Sequence, residues 1–461
     1  MPTQARLRSL VCAFSLAALA ACGGSSDPFP DVDSTQLNDH GPIFRSLTVI
    51  LSEPGGVDLE YWSGNGPRLS VRSASASARS HQVALPRLRA NASYSYEVRA
   101  TQQGLRSAAS LSGSFQTADL PADLKSIAFA TTGTASQPLT FLSVRSAFTG
   151  GVVVDAAGQI VWYGRTSVAP QGAGRRANGN WVLVEDGLAE FSPLGERVGG
   201  LAQSRLPAGS TIHHGVTATP RDTVLFLTFD PRTYGAQVLY GEALWEWNPQ
   251  DDSIVKRWSA FDFLDPAVDF GTRSIPGDWF HANSVTLGPR GNAVLSFHFL
   301  DQVLSVAPDF GSIEWRLGGP GSSFALPADA VTSGQHSARE VATNQVLLFD
   351  NGFARADGSR YSRALEMTLE PVTGSASVAW QYRPTPDIWA AIISSVRRLG
   401  NGNSVLTFGT PAGLVGSTGP ISLHEVSTGG QLLWQMVVIL PSGSVFQGDP
   451  IASIGGETPV P

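Results

Sequence analysis

The chain has eight histidines, and three of them, or four counting both members of a pair, stand at matching places in a repeated pattern. His213-His214-Gly215-Val216, His281-Ala282-Asn283-Ser284-Val285 and Gln335-His336-Ser337-Ala338 each precede a turn. The next repeat has Ser394-Ser395-Val396-Arg397 at that place, and His298 lies a few residues beyond the turn that follows His281. A lone histidine such as His40, His81 or His424 is usually a satisfied polar or surface residue. A matched set differs, because equivalent positions of a radially repeated fold point at one axial locus. Two chemistries suit converging imidazoles. Neutral imidazole ligates zinc, copper or iron, and its titration range suits nucleophilic and general acid–base work. The metal reading is the weaker one. The sequence has neither an HxH nor an HExxH pair, and no carboxylate shares the register; Asp350, in Phe349-Asp350-Asn351-Gly352, is the nearest.

The elements that must position these residues are short strands. Ala177-Asn178-Gly179-Asn180-Trp181-Val182-Leu183-Val184 opens a series of Gly/Asn/Asp turns feeding β-rich runs. It continues at Pro220 to Leu227, Pro289 to Ser296, Ala342 to Phe349 and Gly400 to Thr407, which is hairpin chemistry. An aromatic outer-strand signature accompanies the turns, in Gln159-Ile160-Val161-Trp162, Ala243-Leu244-Trp245-Glu246-Trp247, Ser312-Ile313-Glu314-Trp315, Ser377-Val378-Ala379-Trp380 and Gln431-Leu432-Leu433-Trp434. The spacing matches a propeller blade of about 40–50 residues with variable insertions. Five blades are visible, and Leu142 to Arg165 supplies a sixth. Two stacked sandwiches would not reuse one hairpin-plus-Trp unit five times.

Ahead of the propeller the texture differs. Leu47-Thr48-Val49-Ile50-Leu51 and Val57 to Trp62 read as strands, followed by Gln82 to Pro86, Tyr94 to Ala100 and Gly113 to Thr117. The last three runs are similar to the end of a fibronectin type III-like sandwich, in a trimmed version. The expected fold is therefore all-β: a six-bladed β-propeller over residues 120–461, preceded by a small N-terminal β-sandwich over 45–119.

The totals agree. Forty-nine glycines, 30 prolines and only 15% charged residues suit many short strands joined by tight turns. A net charge of −7 leaves no basic footprint, so nucleic acid is not an expected partner. Residues 1–21 read as a lipoprotein signal peptide: Arg6 and Arg8, an apolar run from Leu10 to Ala21, then Leu19-Ala20-Ala21-Cys22. Cys22 is then the lipidated residue and residues 22–44 a polar tether, which implies the periplasm or cell surface, with the outer membrane favoured by Gly23. An ordinary cleavable signal is the alternative. The only cysteines are Cys12 and Cys22, so the body after them holds no internal disulfide and no Cys-ligated metal.

Trp279-Phe280-His281-Ala282-Asn283-Ser284, the His213-His214 pair, Gln335-His336 followed by Leu347 to Gly352, and Tyr361-Ser362-Arg363-Ala364-Leu365-Glu366 together resemble the bacterial arylsulfotransferases. The resemblance covers about residues 120 to 440. It implies a periplasmic six-bladed propeller that moves a sulfuryl group between phenols, with aryl sulfates and phenols as partners and no cofactor or metal. By that resemblance His336 is the nucleophile, carrying a transient sulfohistidine. His214, or its neighbour His213, is the acid–base residue. His281 and Asn283 hydrogen-bond the sulfuryl oxygens, and His213 and Arg363 contribute to substrate binding. Where the family places an arginine, this chain has His298, which carries charge only when protonated; Arg316, Arg339 or Arg363 are the candidates to compensate. The scheme fits sulfuryl chemistry, in which fixed donors stabilise charge spread over oxygens and a neutral imidazole splits the transfer into two steps. The competing readings are a sulfate-ester hydrolase, a lipid-anchored propeller binding a glycan or protein partner, and a metal-dependent oxidoreductase. Asp265 to Asp278 is the longest insertion near the site and a candidate rim, with Trp279, Phe280 and Trp389 as candidate aromatic walls or core residues.

Overall fold

The computed structural model describes residues 29–460; Cys12, Cys22 and the expected signal peptide lie outside them. The described chain is all-β, and its larger part closes into six blades of antiparallel strands. Each of the five turns read from the sequence holds one residue at positive φ, namely Gly179, Asp222, Gly291, Asn344 and Gly402. Gly, Asn and Asp are the residues that tolerate this conformation, so each turn can join the innermost strand of a blade to the next. The innermost strands, in blade order, are Ser444–Ile451, Ala173–Arg175, Ile212–Ala218, Ala282–Leu287, His336–Ala342 and Ser395–Arg398.

Blade 1 is completed by the far end of the chain. Ser444–Ile451 pairs with Leu139–Arg145 and supplies the innermost strand, while Ala128–Gly133 adds a fifth, outermost strand to blade 6 along Leu432–Ile439. The ring is thus fastened at both ends of the propeller sequence, leaving no open seam between blades 6 and 1. Apolar side chains fill the layers between adjacent blades. Val184, Phe226 and Trp245 join blades 2 and 3; Leu227, Leu244 and Leu295 join blades 3 and 4; Val303, Val346 and Leu365 join blades 4 and 5.

Three expectations are corrected. The run around Trp245 and Trp247 is the third strand of blade 3, Gln237–Asn248, and the outer strand is Ser253–Ser259 with its own Trp258. The tether expected to reach residue 44 gives way to a strand at Val32–Gly41. That segment is polar because it is an edge strand on Phe44–Trp62, half open to solvent. Finally, the propeller does not extend to residue 461: Thr458–Pro459 returns to pair with Leu69–Arg72.

The N-terminal unit is built on the 19-residue strand Phe44–Trp62. Its first half pairs with Val32–Gly41 and Ala78–Leu85, and its second half with Leu69–Arg72 and Ser93–Gln102. The unit has its own core around Leu47, Leu59, Tyr61 and Val98. It docks on the propeller through Phe44, whose ring centre lies 4.9 Å from that of Tyr163. An Arg89 Nε to Asp155 Oδ2 hydrogen bond of 2.7 Å and a His40 to Glu196 contact of 2.8 Å flank it.

Candidate active site

The innermost strands do not run straight where they meet the histidines. Pairing slips by a bulge between His213 and Val216, between Ala282 and Ser284, between His336 and Arg339, and between Val445 and Gly448. Non-glycine residues sit at positive φ at the same level: His214 at 47°, His281 at 52°, Ser337 at 56° and Ser394 at 85°. Each such conformation costs about 1–3 kcal/mol and persists only where the surroundings impose it. Bulges re-aim side chains, and here they turn imidazoles of neighbouring blades toward one another.

The result is a chain of five rings. Centroid separations run 5.2 Å from His213 to His214, 4.9 Å to His281, 5.5 Å to His298 and 5.4 Å to His336. Phe229, Phe446, Phe299 and Phe353 pack against them, making the surroundings apolar. A cavity of about 650 Å³ in the propeller channel reaches His214, Asn283 and His336.

His336 is fixed as a nucleophile would be. Its Nδ1 lies 2.8 Å from Asn351 Oδ1 and 3.1 Å from the Gly334 carbonyl, both acceptors. The orientation of Asn351 is set in turn, because its Nδ2 donates to the carbonyls of Ala390 at 2.8 Å and Ile393 at 2.9 Å. Nδ1 therefore carries the proton and Nε2 keeps its lone pair. Burial lowers the imidazole to about 4, against the pull of Asn351, so the ring is neutral across the physiological range.

His214 and His213 are hydrogen-bonded through their Nδ1 atoms at 3.0 Å, and behind them His213 Nε2 stands 3.0 Å from Glu242 Oε2, a close contact that is not aligned as a hydrogen bond. Burial, with His213 and His281 close by, holds His214 well below the usual histidine range. Burial raises the Glu242 carboxyl, with His213 opposing. Both shifts favour states without imidazolium. A small rotation that aligns the pair would complete a relay and let a protonated Glu242 donate to His213 Nε2; His213 Nδ1–H then donates to His214, whose Nε2–H is left as a donor. With Glu242 ionised, both tautomers reverse and His214 Nε2 presents a lone pair. One proton can thus enter or leave at His214 without charging either ring.

His281 receives a carboxylate: its Nδ1 lies 2.5 Å from Asp278 Oδ2, and its backbone N–H donates to Asp278 Oδ1 at 2.9 Å. When protonated, the ring has a second N–H to offer at Nε2. Asn283 Nδ2 donates to the Gln335 carbonyl at 2.7 Å, while its Oδ1 has no partner among the described residues. One N–H of the amide remains for a ligand.

Three expectations about the site, for His298, Arg363 and His213, are corrected. His298 stands beside His336 but is a poor substitute for arginine. Its Nδ1 donates to the Gly334 carbonyl at 3.0 Å, and burial, with His336 and Arg273 nearby, holds it well below the usual range. The neutral ring then offers the site an acceptor at Nε2. Arg363 is buried, with Nε donating to Asp350 Oδ2 at 2.9 Å, Nη1 to Gln381 at 2.9 Å and Nη2 to the Val331 carbonyl at 3.1 Å. Its fork holds the fold and is not free for substrate. Asp350, which also takes Arg355 at 2.9 Å, is part of the same scaffold. His213 is placed behind His214 rather than on the cavity. Trp279 and Phe280 are core, and Trp389 donates to the Gly352 carbonyl at 3.1 Å. The Asp265 to Asp278 segment is pinned by Arg316 on Asp269 and by Arg273 on Asp301, each at 2.5 Å.

Sequence reasoning missed Glu242, Asp278, Asn351 and Phe446. Asp278 alone had a local signal, three residues before His281. Among the described residues, no group of three or more His, Cys, Asp or Glu is arranged to hold a metal ion.

A six-bladed propeller whose channel gathers histidines from neighbouring blades defines a class in which the scaffold is general and the site is particular. The model of the arylsulfotransferase (ASST) family matches residues 127–433, so this chain belongs to that family. No curated protein matches it. Among solved structures, it is similar to a protein of unknown function from Bacteroides caccae, at 13% identity and a TM-score of 0.47, over 68% of this chain and 99% of that one. It is also similar to a catalytically inactive virginiamycin B lyase from Staphylococcus aureus with quinupristin, at 10% identity and a TM-score of 0.38, over 68% and 100% of the two chains. Likenesses this distant carry no argument about activity.

Proposed function

We propose that the chain transfers a sulfuryl group from an aryl sulfate ester to a phenolic acceptor in two half-reactions through a sulfohistidine at His336. The observation that carries this reading is the His336–Asn351 hydrogen bond, which leaves a neutral, buried Nε2 lone pair facing a cavity shared with an acid–base histidine. In the first half-reaction Nε2 forms an N–S bond as the bond from sulfur to the aryl oxygen breaks. The departing electron pair goes to the aryl oxygen, which takes the proton of His214 Nε2–H, and the relay discharges to leave Glu242 ionised. In the second, the acceptor O–H gives its proton to His214, its oxygen bonds sulfur, and the N–S electrons return to His336. Glu242 is protonated again, and the cycle closes. The free N–H of Asn283, which lines the cavity, is the donor offered to the sulfuryl oxygens, with His281 beside His214 as a second candidate.

The same reading puts the protein in the periplasm or at the cell surface, held by lipid at Cys22, with the fibronectin type III-like unit between anchor and propeller. The test of the chemistry is intact-mass analysis after brief mixing with an activated aryl sulfate. A gain of one sulfuryl group, about 80 Da, on the wild type and none on His336→Ala is the expected result. Phenol release without any adduct, retained in His336→Ala, would favour a hydrolase acting through water.

A further inference from the structure

Below His336 the same strand carries Arg339 into the channel, and the guanidinium is unmatched. Arg339 lines the cavity, its Nε is buried, and it has no hydrogen-bond or ion-pair partner among the described residues. The neighbouring carboxylate of Glu340 points the other way, accepting from Asn292 Nδ2 at 2.7 Å and from the Asn344 backbone at 2.8 Å. On the next blade Arg397 donates to Ser337 Oγ at 2.7 Å and to the Val396 carbonyl at 3.1 Å, and pairs with Asp449. Asp449 is further held by Gln447 Nε2 at 2.6 Å. Asp449, the carboxylate whose charge acts on Arg339, is thus already engaged by Arg397 and Gln447. Burial, with Arg397 nearby, lowers Arg339 to about 9, which leaves it cationic at neutral pH. Arg339 is half-buried, with its Nε fully enclosed, and an unpaired cation so placed is costly unless something anionic joins it.

We propose that the channel below His336 is a second anion subsite, built on Arg339 and flanked by Arg397. It takes a carboxylate, or another fixed anion, carried on the ring of the aryl substrate opposite the sulfate ester. The substrate identity rests on the sulfuryl-transfer reading; the subsite itself does not. His336 and Arg339 are three steps apart along the strand, roughly 10 Å at the usual rise and less across the bulge. A para-disubstituted benzene whose sulfate ester lies at His336 carries its second substituent along the channel, within the reach of the Arg339 side chain. A planar fork also suits a carboxylate in two-point contact.

Calorimetric titration of the full chain with 4-sulfobenzoate and with benzenesulfonate tests this. Neither sulfonate can be transferred, so binding is read without turnover. In the wild type the dianion is expected to bind about tenfold tighter, and Arg339→Met to abolish that advantage while leaving benzenesulfonate binding as it was. Equal affinities in the wild type, no binding of either, or an advantage that survives Arg339→Met overturns the subsite. The wild-type comparison needs no variant and decides the matter even where Arg339→Met fails to fold. A chain that prefers the dianion but transfers nothing keeps the subsite and loses the transferase reading; one that transfers but shows no preference does the reverse.

Discussion

At the scale of single residues, the relay makes a prediction that separates the two half-reactions. Glu242→Gln removes the group that stores the proton, while the amide fills nearly the same buried volume. A donor with a strongly acidic phenol needs no proton on its leaving oxygen, so adduct formation from 4-nitrophenyl sulfate should survive. Transfer to a weakly acidic phenol needs His214 to accept a proton and pass it on, and should fall about 100-fold. Stopped-flow release of nitrophenol and steady-state transfer check the two arms. A purely structural Glu242 would depress both together. None of this was legible along the chain. Glu242 lies 29 residues beyond His213 and meets it only because the first and third strands of blade 3 both pair with the second. Asn351 follows Asp350 in the sequence, and the carboxylate, the more conspicuous candidate of the two, holds Arg355 and Arg363 instead. The histidines were legible because repetition places equivalent positions around one axis; their partners come from non-equivalent positions and carry no repeat.

At the scale of strands and blades, the site depends on close approaches of backbone that only glycine permits. A Cβ on Gly172 would run into the His214 carbonyl oxygen, and one on Gly409 into the Val445 carbonyl oxygen. Gly172→Ala should therefore push the innermost strand of blade 2 off His214. Gly409→Ala should strain the seam where Ser444–Ile451 closes the ring. Each should lower stability by about 1–3 kcal/mol in a denaturant titration, as overpacking does. The first should also cost activity in excess of its stability loss, because His214 shares the disturbed contact. Turns were the readable elements, since each needs a residue that tolerates positive φ. The innermost strand of blade 1 was not, because it arrives from the end of the chain without a histidine. That of blade 2 is only three residues long and too short to show a pattern. The third strand of blade 3 was mistaken for the outer one because Trp245 and Trp247 match the aromatic cue, which reports packing between blades rather than rank within one.

At the scale of the whole molecule, gathering neutral imidazoles in an apolar channel makes stability depend on pH in a defined direction. His336 in the channel is lowered to about 4 by burial, from 6.5, as is His424 on the third strand of blade 6, and His214 and His298 are lowered as well. Between those limits the unfolded chain binds protons that the folded chain refuses, so stability rises with pH there. The contribution is fully present above about pH 6.5 and is lost as the pH falls toward 4. Carboxylates held low by ion pairs, such as Asp58 with Arg106 and Asp230 with Lys256, lose their contribution only below the ordinary carboxylate range. The two losses are thus separated along the pH axis. Thermal unfolding midpoints measured from pH 7.5 to 4.5 should hold to about pH 6.5 and fall below it, and His336→Asn should flatten that slope while leaving the acid limb unchanged. A midpoint constant down to pH 5 would mean that water or an anion solvates these rings in the folded state. The apolar shell that keeps Nε2 of His336 unprotonated would then not exist, and the case for a buried imidazole nucleophile would lose its physical basis.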